Sequence, residues 1–177
     1  KHNIEALLGH ENYSYRLQYN YGMKTNEIVS GTYEYSNFVS ISSMDSYTRE
    51  YKKEGYFARL NYDFDDKYYV TASYRRDGSS RFSKDNRWGN FWSFGASWRI
   101  SQEDFMENLT WVDNLKLRAS YGETGNDAIY YTDDDTQQDY YPYQTLYNLG
   151  INNGLEAGLY FPTMANNNLK WETQVST

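Results

Sequence analysis

Between residues 55 and 100 the sequence alternates apolar and polar residues with a period of two, and this pattern limits the possible folds more than any other feature. Successive side chains of a β-strand point to opposite faces, so the pattern predicts strands with one apolar and one polar face. Three strands are predicted, with apolar faces formed by Tyr56, Ala58, Leu60, Tyr62 and Phe64; by Tyr68, Val70, Ala72 and Tyr74; and by Trp92, Phe94, Ala96, Trp98 and Ile100.

The order of residues along the apolar faces separates two possible β folds. Tyr and Trp lie toward the ends of each strand, whereas Leu, Val and Ala occupy the middle. Aromatic rings at both water boundaries and aliphatic residues between them are typical of the outer surface of a transmembrane β-barrel. A soluble sandwich also alternates, but its dry core gives no reason to sort residues by depth. The pattern therefore favours the barrel over the sandwich.

Composition agrees with a barrel and argues against several other classes of protein. Among 177 residues there are 21 Tyr and 5 Trp, and charged residues make up 23%. No run of about 18 apolar residues is present, which excludes a helical membrane span. The net charge of -7 argues against nucleic-acid binding, and the absence of Cys excludes a disulfide scaffold. We find no catalytic, cofactor-binding or metal-binding motif, so the sequence predicts neither an enzyme nor a cofactor.

The same period, applied along the chain, predicts six antiparallel strands near residues 2–12, 51–64, 67–76, 88–101, 114–122 and 168–177. The longer connections, 13–50, 77–87 and 123–167, are predicted to be outer loops, and short strand extensions such as 13–19 are compatible with the first. The turn at Asp65 and Asp66 and the segment 102–114 are predicted to lie on the periplasmic side, because periplasmic turns of bacterial barrels are the shorter ones. Since the chain begins and ends within predicted strands, we expect it to be part of a longer polypeptide.

Several segments resemble the SusC/RagA family of TonB-linked outer-membrane transporters. They are ALLGHE (6–11), EGYFARLNYDFDDKYYVTASYRRDGSSRF (54–82), NRWGNFWSFGASWRISQEDFM (86–106), NLKLRASYGETGN (114–126) and LKWETQ (169–174). The resemblance implies a barrel of about 22 strands in the cell outer membrane, in contact with lipid and lipopolysaccharide and containing an N-terminal plug. It also implies two partners: a SusD-like surface lipoprotein, which acts as a lid, and TonB, which acts through the plug region missing from this chain.

Within the predicted outer loop 123–167, aromatic and acidic residues are candidates for contact with a substrate or the lid. Tyr rings have flat apolar faces with polar tips, which suit stacking on sugars or packing against a partner. The candidate residues are Tyr130, Tyr131, Asp133, Tyr140, Tyr141 and Tyr143. Two simpler interpretations stay open: the tyrosines pack on one another to order the loop, and the acidic residues are hydrated.

The resulting prediction is a fragment of a barrel that imports an oligosaccharide or an oligopeptide. Two alternatives from the sequence are a passive porin and a soluble or surface-exposed β-sandwich that binds glycans. A plug elsewhere in the polypeptide would distinguish the importer from the porin.

Overall fold

The computed structural model describes residues 1–131, 134–153, 156–160 and 164–177, without the side chains of 131, 134–137, 148–153, 156–157 and 159–160. Within these residues the regular structure is β, apart from single turns of 3₁₀ helix at Tyr35–Asn37, Ile100–Gln102 and Asp104–Met106. The strands are β1 (His2–Glu27), β2 (Phe38–Phe64), β3 (Tyr68–Ser79), β4 (Trp88–Arg99), β5 (Lys116–Asn126), β6 (Tyr130–Tyr131), β7 (Asp134–Gln138), β8 (Asn148–Asn153), β9 (Glu156–Tyr160) and β10 (Glu172–Ser176). No helix in the described part of the chain is both long and apolar enough to cross a bilayer.

Six strands form one sheet in the order β1-β2-β3-β4-β5-β10, while β6 pairs with β7 and β8 pairs with β9. The four pairings from β2 to β10 are antiparallel. Contacts divide the chain into two compact units, one comprising residues 1–13 and 52–177 and the other residues 14–51. The two units are described separately below.

In the larger unit, the register of β2, β3, β4 and β5 places the predicted apolar residues in rows across the sheet. The rows are Leu60–Ala72–Phe94–Tyr121, Tyr62–Val70–Ala96–Ala119 and Phe64–Tyr68–Trp98–Leu117. The last row is mostly aromatic and lies where β2 and β4 end and β3 begins. Leu60 is 47% exposed and Leu117 is 61% exposed. This face therefore has no core within the unit, as expected for the surface of a barrel fragment.

The opposite face carries small, polar and charged side chains. Its rows are Arg59–Ser73–Ser93–Gly122, Asn61–Thr71–Gly95–Ser120 and Asp63–Tyr69–Ser97–Arg118. The hydroxyl oxygens of Ser73 and Ser93 are 2.6 Å apart and form a cross-strand hydrogen bond. The two faces of the sheet thus have the different chemistry that the alternation predicts.

A small core lies at the other end of β3 and β4, beside the loop 80–87. Phe82 and Ser79 are completely buried, and Phe91 is nearly so. The loop is joined to β2 by two hydrogen bonds, in which the Ser80 N–H donates to the Lys52 carbonyl and the Lys52 N–H donates to Ser80 Oγ, both at 2.9 Å. We call this region the loop-end core.

The smaller unit, residues 14–51, contains the end of β1 and the beginning of β2. The rings of Tyr19 and Tyr47 stack across the two strands with centroids 4.8 Å apart. The buried side chain of Asn37 orders the tip: its Oδ1 accepts from the Val29 N–H at 3.0 Å, and its Nδ2 donates to the carbonyls of Val29 and Thr32 at 2.7 Å each. Gly31 has φ of 85°, a left-handed conformation that favours glycine.

The prediction of an outer loop over 13–50 is wrong for most of that segment, because β1 continues to Glu27 and β2 begins at Phe38. The apolar residues occupy even positions from Ile4 to Leu8 but odd positions from Tyr13 to Leu17. A strand read with a single phase appears aperiodic across such a change. The predicted loop 123–167 also needs correction, since β5 extends to Asn126 and the strands β6 to β9 lie within the segment.

Candidate functional site

The polar face of the sheet is the first candidate surface, because it presents cations beside small residues. Among the described side chains, Arg59 and Arg118 are exposed and form no ion pair. Arg75 is different, since its guanidinium lies 2.8 Å from Glu11 and 2.7 Å from Asp77. The Lys116 ammonium lies 3.8 Å from the centre of the Tyr69 ring, a cation–π contact. Unpaired Arg59 and Arg118 therefore remain available to an anionic group, whereas Arg75 is neutralised.

A recess of about 250 Å³ opens near the loop-end core. Its lining includes Glu11, Gly55, Arg75, Asp77 and Trp171. With Lys53 and Glu54, which also line it, the recess combines three carboxylates, a guanidinium and an ammonium group with one aromatic ring. Such a lining suits a polar solute with both hydrogen-bond donors and acceptors rather than an apolar one.

The loop-end core is organised around the carboxylate of Asp127, which is 5% exposed. The Lys53 ammonium lies 2.7 Å from one carboxylate oxygen, and Ser79 Oγ donates a hydrogen bond of 2.8 Å to the other. Arg81, which is 3% exposed, donates to the main-chain carbonyl of Asp127 at 3.0 Å and to Gln138 Oε1. Buried charges are tolerated in proteins when they are paired in this way.

Aromatic rings complete the loop-end core around Trp171, the residue before β10. Its Nε1 donates to the Arg87 carbonyl at 3.0 Å, and its ring centre lies 5.5 Å from that of Phe82 and 5.4 Å from that of Phe91. The Phe91 ring covers the backbone of Gly125, where an added Cβ would lie 2.0 Å from the ring. Only glycine leaves room for Phe91 at this position.

The structure describes the side chains of four of the six predicted contact residues: Tyr130, Tyr140, Tyr141 and Tyr143. Tyr140 packs against the loop-end core, with the Arg81 guanidinium 5.3 Å from its ring centre. The Tyr141 N–H donates to Asp139 at 2.9 Å, and the Tyr143 hydroxyl accepts a hydrogen bond of 2.6 Å from Gln144. Tyr130 lies in β6 and is 45% exposed.

Two of the predicted contact residues lie wholly or partly outside the described residues. Asp133 is not described, and only the backbone of Tyr131 is described, in β6. Within the described residues, no group of three or more His, Asp and Glu side chains is placed to hold a metal ion.

A second polar cluster lies in the short connection after β4 and centres on Glu103. The Tyr68 hydroxyl donates to its carboxylate at 2.6 Å, Trp98 Nε1 donates at 2.9 Å, and the Lys67 ammonium lies 3.3 Å away. The hydrogen bonds from Tyr68, Trp98 and Lys67 hold the pKa of Glu103 below its ordinary value of 4.5. Burial lowers the pKa of Lys67, but hydrogen bonds to Asp104 and Glu103 outweigh this effect and raise the pKa overall.

Sequence reasoning missed Arg81, Asp127, Trp171 and Glu103 as organising residues. Arg81 and Asp127 are 46 positions apart, and charged residues in polar loops are usually exposed. A possible signal was the pair of glycines in the segments WGNFW and ETGN, since a glycine within a strand often marks a close approach by another group.

The comparisons with known proteins agree on one family. Residues 2–177 match the family model described as TonB dependent receptor-like, beta-barrel. The chain is 33% identical over 182 residues to the TonB-dependent receptor P3 of Formosa agariphila, an alignment that covers 97% of the chain and 17% of that protein. It is 40% identical over 125 residues to the TonB-dependent receptor SusC of Bacteroides thetaiotaomicron, covering 66% of the chain and 12% of SusC.

Solved structures give the same result. The structure of the RagAB peptide transporter matches with a TM-score of 0.85 and 31% identity, over 99% of this chain and 19% of that one. The RagAB peptide importer in its 'open-open' state matches with a TM-score of 0.74 and 30% identity, over 98% of this chain and 18% of that one. The chain thus spans less than a fifth of the length of these relatives.

Proposed function

Because the chain belongs to the TonB-dependent receptor-like β-barrel family, we propose that it forms part of the barrel wall of an importer for an oligosaccharide or an oligopeptide. The chain is part of an outer-membrane β-barrel. One observation carries the proposal: a single sheet has an open apolar face with an aromatic row at one end and an open polar face on which Arg59 and Arg118 form no ion pair with any residue that the structure describes. The apolar face contacts lipid, and the polar face lines the path of the solute.

The dimensions of the apolar face support its contact with a bilayer. Tyr56 and Phe64 are eight residues apart on β2, which is about 27 Å along a strand and, at the tilt of about 40° usual in such barrels, about 21 Å along the membrane normal. The apolar band of bacterial outer-membrane barrels is about 25 Å tall and is bounded by aromatic residues. Since periplasmic connections of bacterial barrels are the shorter ones, the short connection 102–114 lies on the periplasmic side and the loop-end core lies on the outer side.

The polar face suits a wall that contacts a plug or a passing solute. Gly95, Ser97 and Ser120 leave the backbone accessible beside the cations Lys116 and Arg118. Plug displacement by TonB would expose these cations to the solute, and a SusD-like lipoprotein would close the outer side. In this mechanism the solute passes through the barrel without any covalent change.

Exposed tyrosines of the outer loop are the proposed contacts with the solute or the lid. Tyr130, which is 45% exposed, fits this role better than Tyr140, whose ring packs on Arg81. Tyr131, Asp133, Tyr141 and Tyr143 remain candidates. Tyr130→Ala should weaken solute capture because it removes the ring, whereas Tyr130→Phe keeps the ring and serves as the matched control.

The import proposal is tested by uptake of labelled peptides and of labelled oligosaccharides in cells that express the full-length protein. We expect uptake of one of the two solutes, and we expect it to stop when TonB is deleted or when a protonophore collapses the proton gradient. The lipoprotein partner should also be required. Uptake that persists without TonB and without a proton gradient would contradict the proposal and support the passive porin.

A further inference from the structure

The connection between β4 and β5, residues 100–115, lies against the aromatic row of the apolar face. Its Glu103 accepts hydrogen bonds from the polar tips of Tyr68 and Trp98, whose rings stack with centroids 6.4 Å apart. Both rings belong to the apolar face, since they share a row with Phe64 and Leu117. The connection therefore continues the apolar surface beyond the ends of the strands. We call it the β4–β5 segment.

Along one side of the β4–β5 segment, four of five positions spaced three residues apart are half-buried, and the fifth, Leu109, is 40% exposed. The N–H groups of Glu103, Met106 and Leu109 donate to the carbonyls three residues earlier at 2.9 to 3.0 Å, and Val112 donates to Leu109 in the same way at 3.0 Å. Residues joined by hydrogen bonds of this kind lie on one side of the turns. The residues at positions 100, 103, 106 and 112 are half-buried.

The other side of the segment exposes two large rings. Phe105 is 64% exposed and Trp111 is 81% exposed, and they are six positions apart, which is two turns of three residues. No strand or loop covers either ring within the part of the chain that the structure describes. Exposure of most of an indole ring to water is unfavourable, which favours a less polar environment than water for these two rings.

We propose that Phe105 and Trp111 insert into the interfacial region of the phospholipid bilayer and anchor the β4–β5 segment there. The inference rests on the proposed contact between the apolar face and lipid. Continuity with the Phe64–Tyr68–Trp98–Leu117 row identifies the occupant as lipid, because that row marks the same boundary of the membrane. Trp and Phe are the rings that amphipathic interfacial segments insert at this depth.

The charges of the segment restrict the depth of insertion. Asp104, Glu107 and Asp113 are exposed on the same connection. Carboxylates are costly in the hydrocarbon region but remain hydrated among headgroups, where the ammonium groups of phosphatidylethanolamine are suitable partners. The segment thus lies along the interface and does not cross the bilayer.

The experiment places single cysteines at Phe105→Cys, Asn108→Cys and Trp111→Cys in a cysteine-free form of the full-length protein. Each cysteine is labelled with bimane, and the protein is reconstituted in vesicles of phosphatidylethanolamine and phosphatidylglycerol. Nitroxide-labelled lipids and aqueous iodide serve as competing quenchers. Leu117→Cys reports the apolar face, and Tyr33→Cys reports an exposed residue of the hairpin tip.

We expect bimane at positions 105 and 111 to emit at shorter wavelength than at Tyr33 and to be quenched more strongly by nitroxide lipid than by iodide. Asn108→Cys retains both rings, so it should show interfacial quenching even if the aromatic substitutions impair assembly. Suppose that iodide quenches positions 105, 108 and 111 as strongly as Tyr33 while nitroxide lipid quenches Leu117. This result would overturn the anchoring inference and leave the proposed function standing.

Two other outcomes are equally informative. Iodide quenching at Leu117 as well would show that the apolar face does not contact lipid, and the proposed function would fail with the inference. Protection from both quenchers at 105, 108 and 111 would identify a protein contact, which also overturns the anchoring role.

Discussion

The middle of the sheet and the loop-end core are stabilised in different ways. At mid-sheet both faces are open: Leu60 and Phe94 are exposed on one side and Thr71 on the other. In the loop-end core, by contrast, Phe82 and Ser79 are completely buried and Asp127 is paired. Stability at mid-sheet therefore comes from the backbone ladder and the surrounding lipid, whereas the loop-end core depends on its own side chains.

This difference teaches where substitutions should be tolerated. A residue at mid-sheet is constrained by the medium that its face contacts, so the free-energy cost of a charged substitution depends on the face that carries it. A residue of the loop-end core is constrained by its neighbours, so the effect depends on the contact that is lost.

The first prediction separates the two faces at mid-sheet. Ala96→Arg should cost about 2–4 kcal/mol, because it places a charge near the middle of the apolar band. Thr71→Arg, on the polar face of the neighbouring strand, should have little effect. The measurement is the yield of heat-modifiable barrel in outer-membrane fractions. Equal yields for the two variants would contradict the assignment of faces.

The second prediction concerns the buried carboxylate of the loop-end core. Asp127→Ala removes the carboxylate that lies 2.7 Å from the Lys53 ammonium and accepts the hydrogen bond from Ser79 Oγ, which should cost about 2–3 kcal/mol. Asp85→Ala removes an exposed carboxylate from the nearby loop 80–87 and is the matched control. Unfolding by urea in detergent should show a lower midpoint for the first variant only.

The third prediction tests the close approach of Phe91 to the backbone. Gly125→Ala introduces a Cβ 2.0 Å from the Phe91 ring and should cost about 1–2 kcal/mol. Gly95→Ala meets no atom closer than 3.9 Å and should be nearly neutral. The same urea titration compares the two variants, and equal midpoints would show that the Phe91 ring moves freely.

The fourth prediction is a pH dependence at the aromatic row. Since the pKa of Glu103 is lowered on folding, its contribution to stability is complete above its ordinary value of 4.5 and is lost as the pH falls through the lowered pKa. Glu103→Gln should be less stable at neutral pH and should lose less stability between neutral pH and pH 3. Thermal unfolding of both proteins at the two pH values provides the measurement. Equal losses of stability in the wild type and in Glu103→Gln would show that Glu103 does not cause the pH dependence.

The strands of mid-sheet could be predicted from the sequence because lipid or water contacts each of their residues individually and so favours a residue type that suits its position. Ala96 and Trp98 report their depth through their own chemistry, so no knowledge of the register is needed to interpret them. The loop-end core was not predicted, since the contacts of Asp127 with Lys53 and Ser79 join residues far apart in the chain. Periodicity contains no information about such distances.

The hairpin of residues 14–51 shows a third case, in which the signal was present but predicted only a short strand extension over 13–19 within a long loop. Tyr13, Tyr15 and Leu17 alternate with polar residues, yet their phase is opposite to that of Ile4 and Leu8. Tyr also weakens the difference in polarity between alternate positions, because its ring is apolar and its hydroxyl is polar. A period that is allowed to change phase along the chain would have predicted β1 to its full length.

Contact between the apolar face and lipid can be measured by a cysteine scan from position 91 to position 98 of β4 in the full-length protein, reconstituted in vesicles. Nitroxide labels at each position report collisions with oxygen, which dissolves in lipid, and with a water-soluble nickel chelate. We expect even positions to favour oxygen and odd positions to favour the chelate or to be shielded from both. Oxygen preference at the odd positions, or no alternation at all, would contradict the claim that the apolar face contacts lipid.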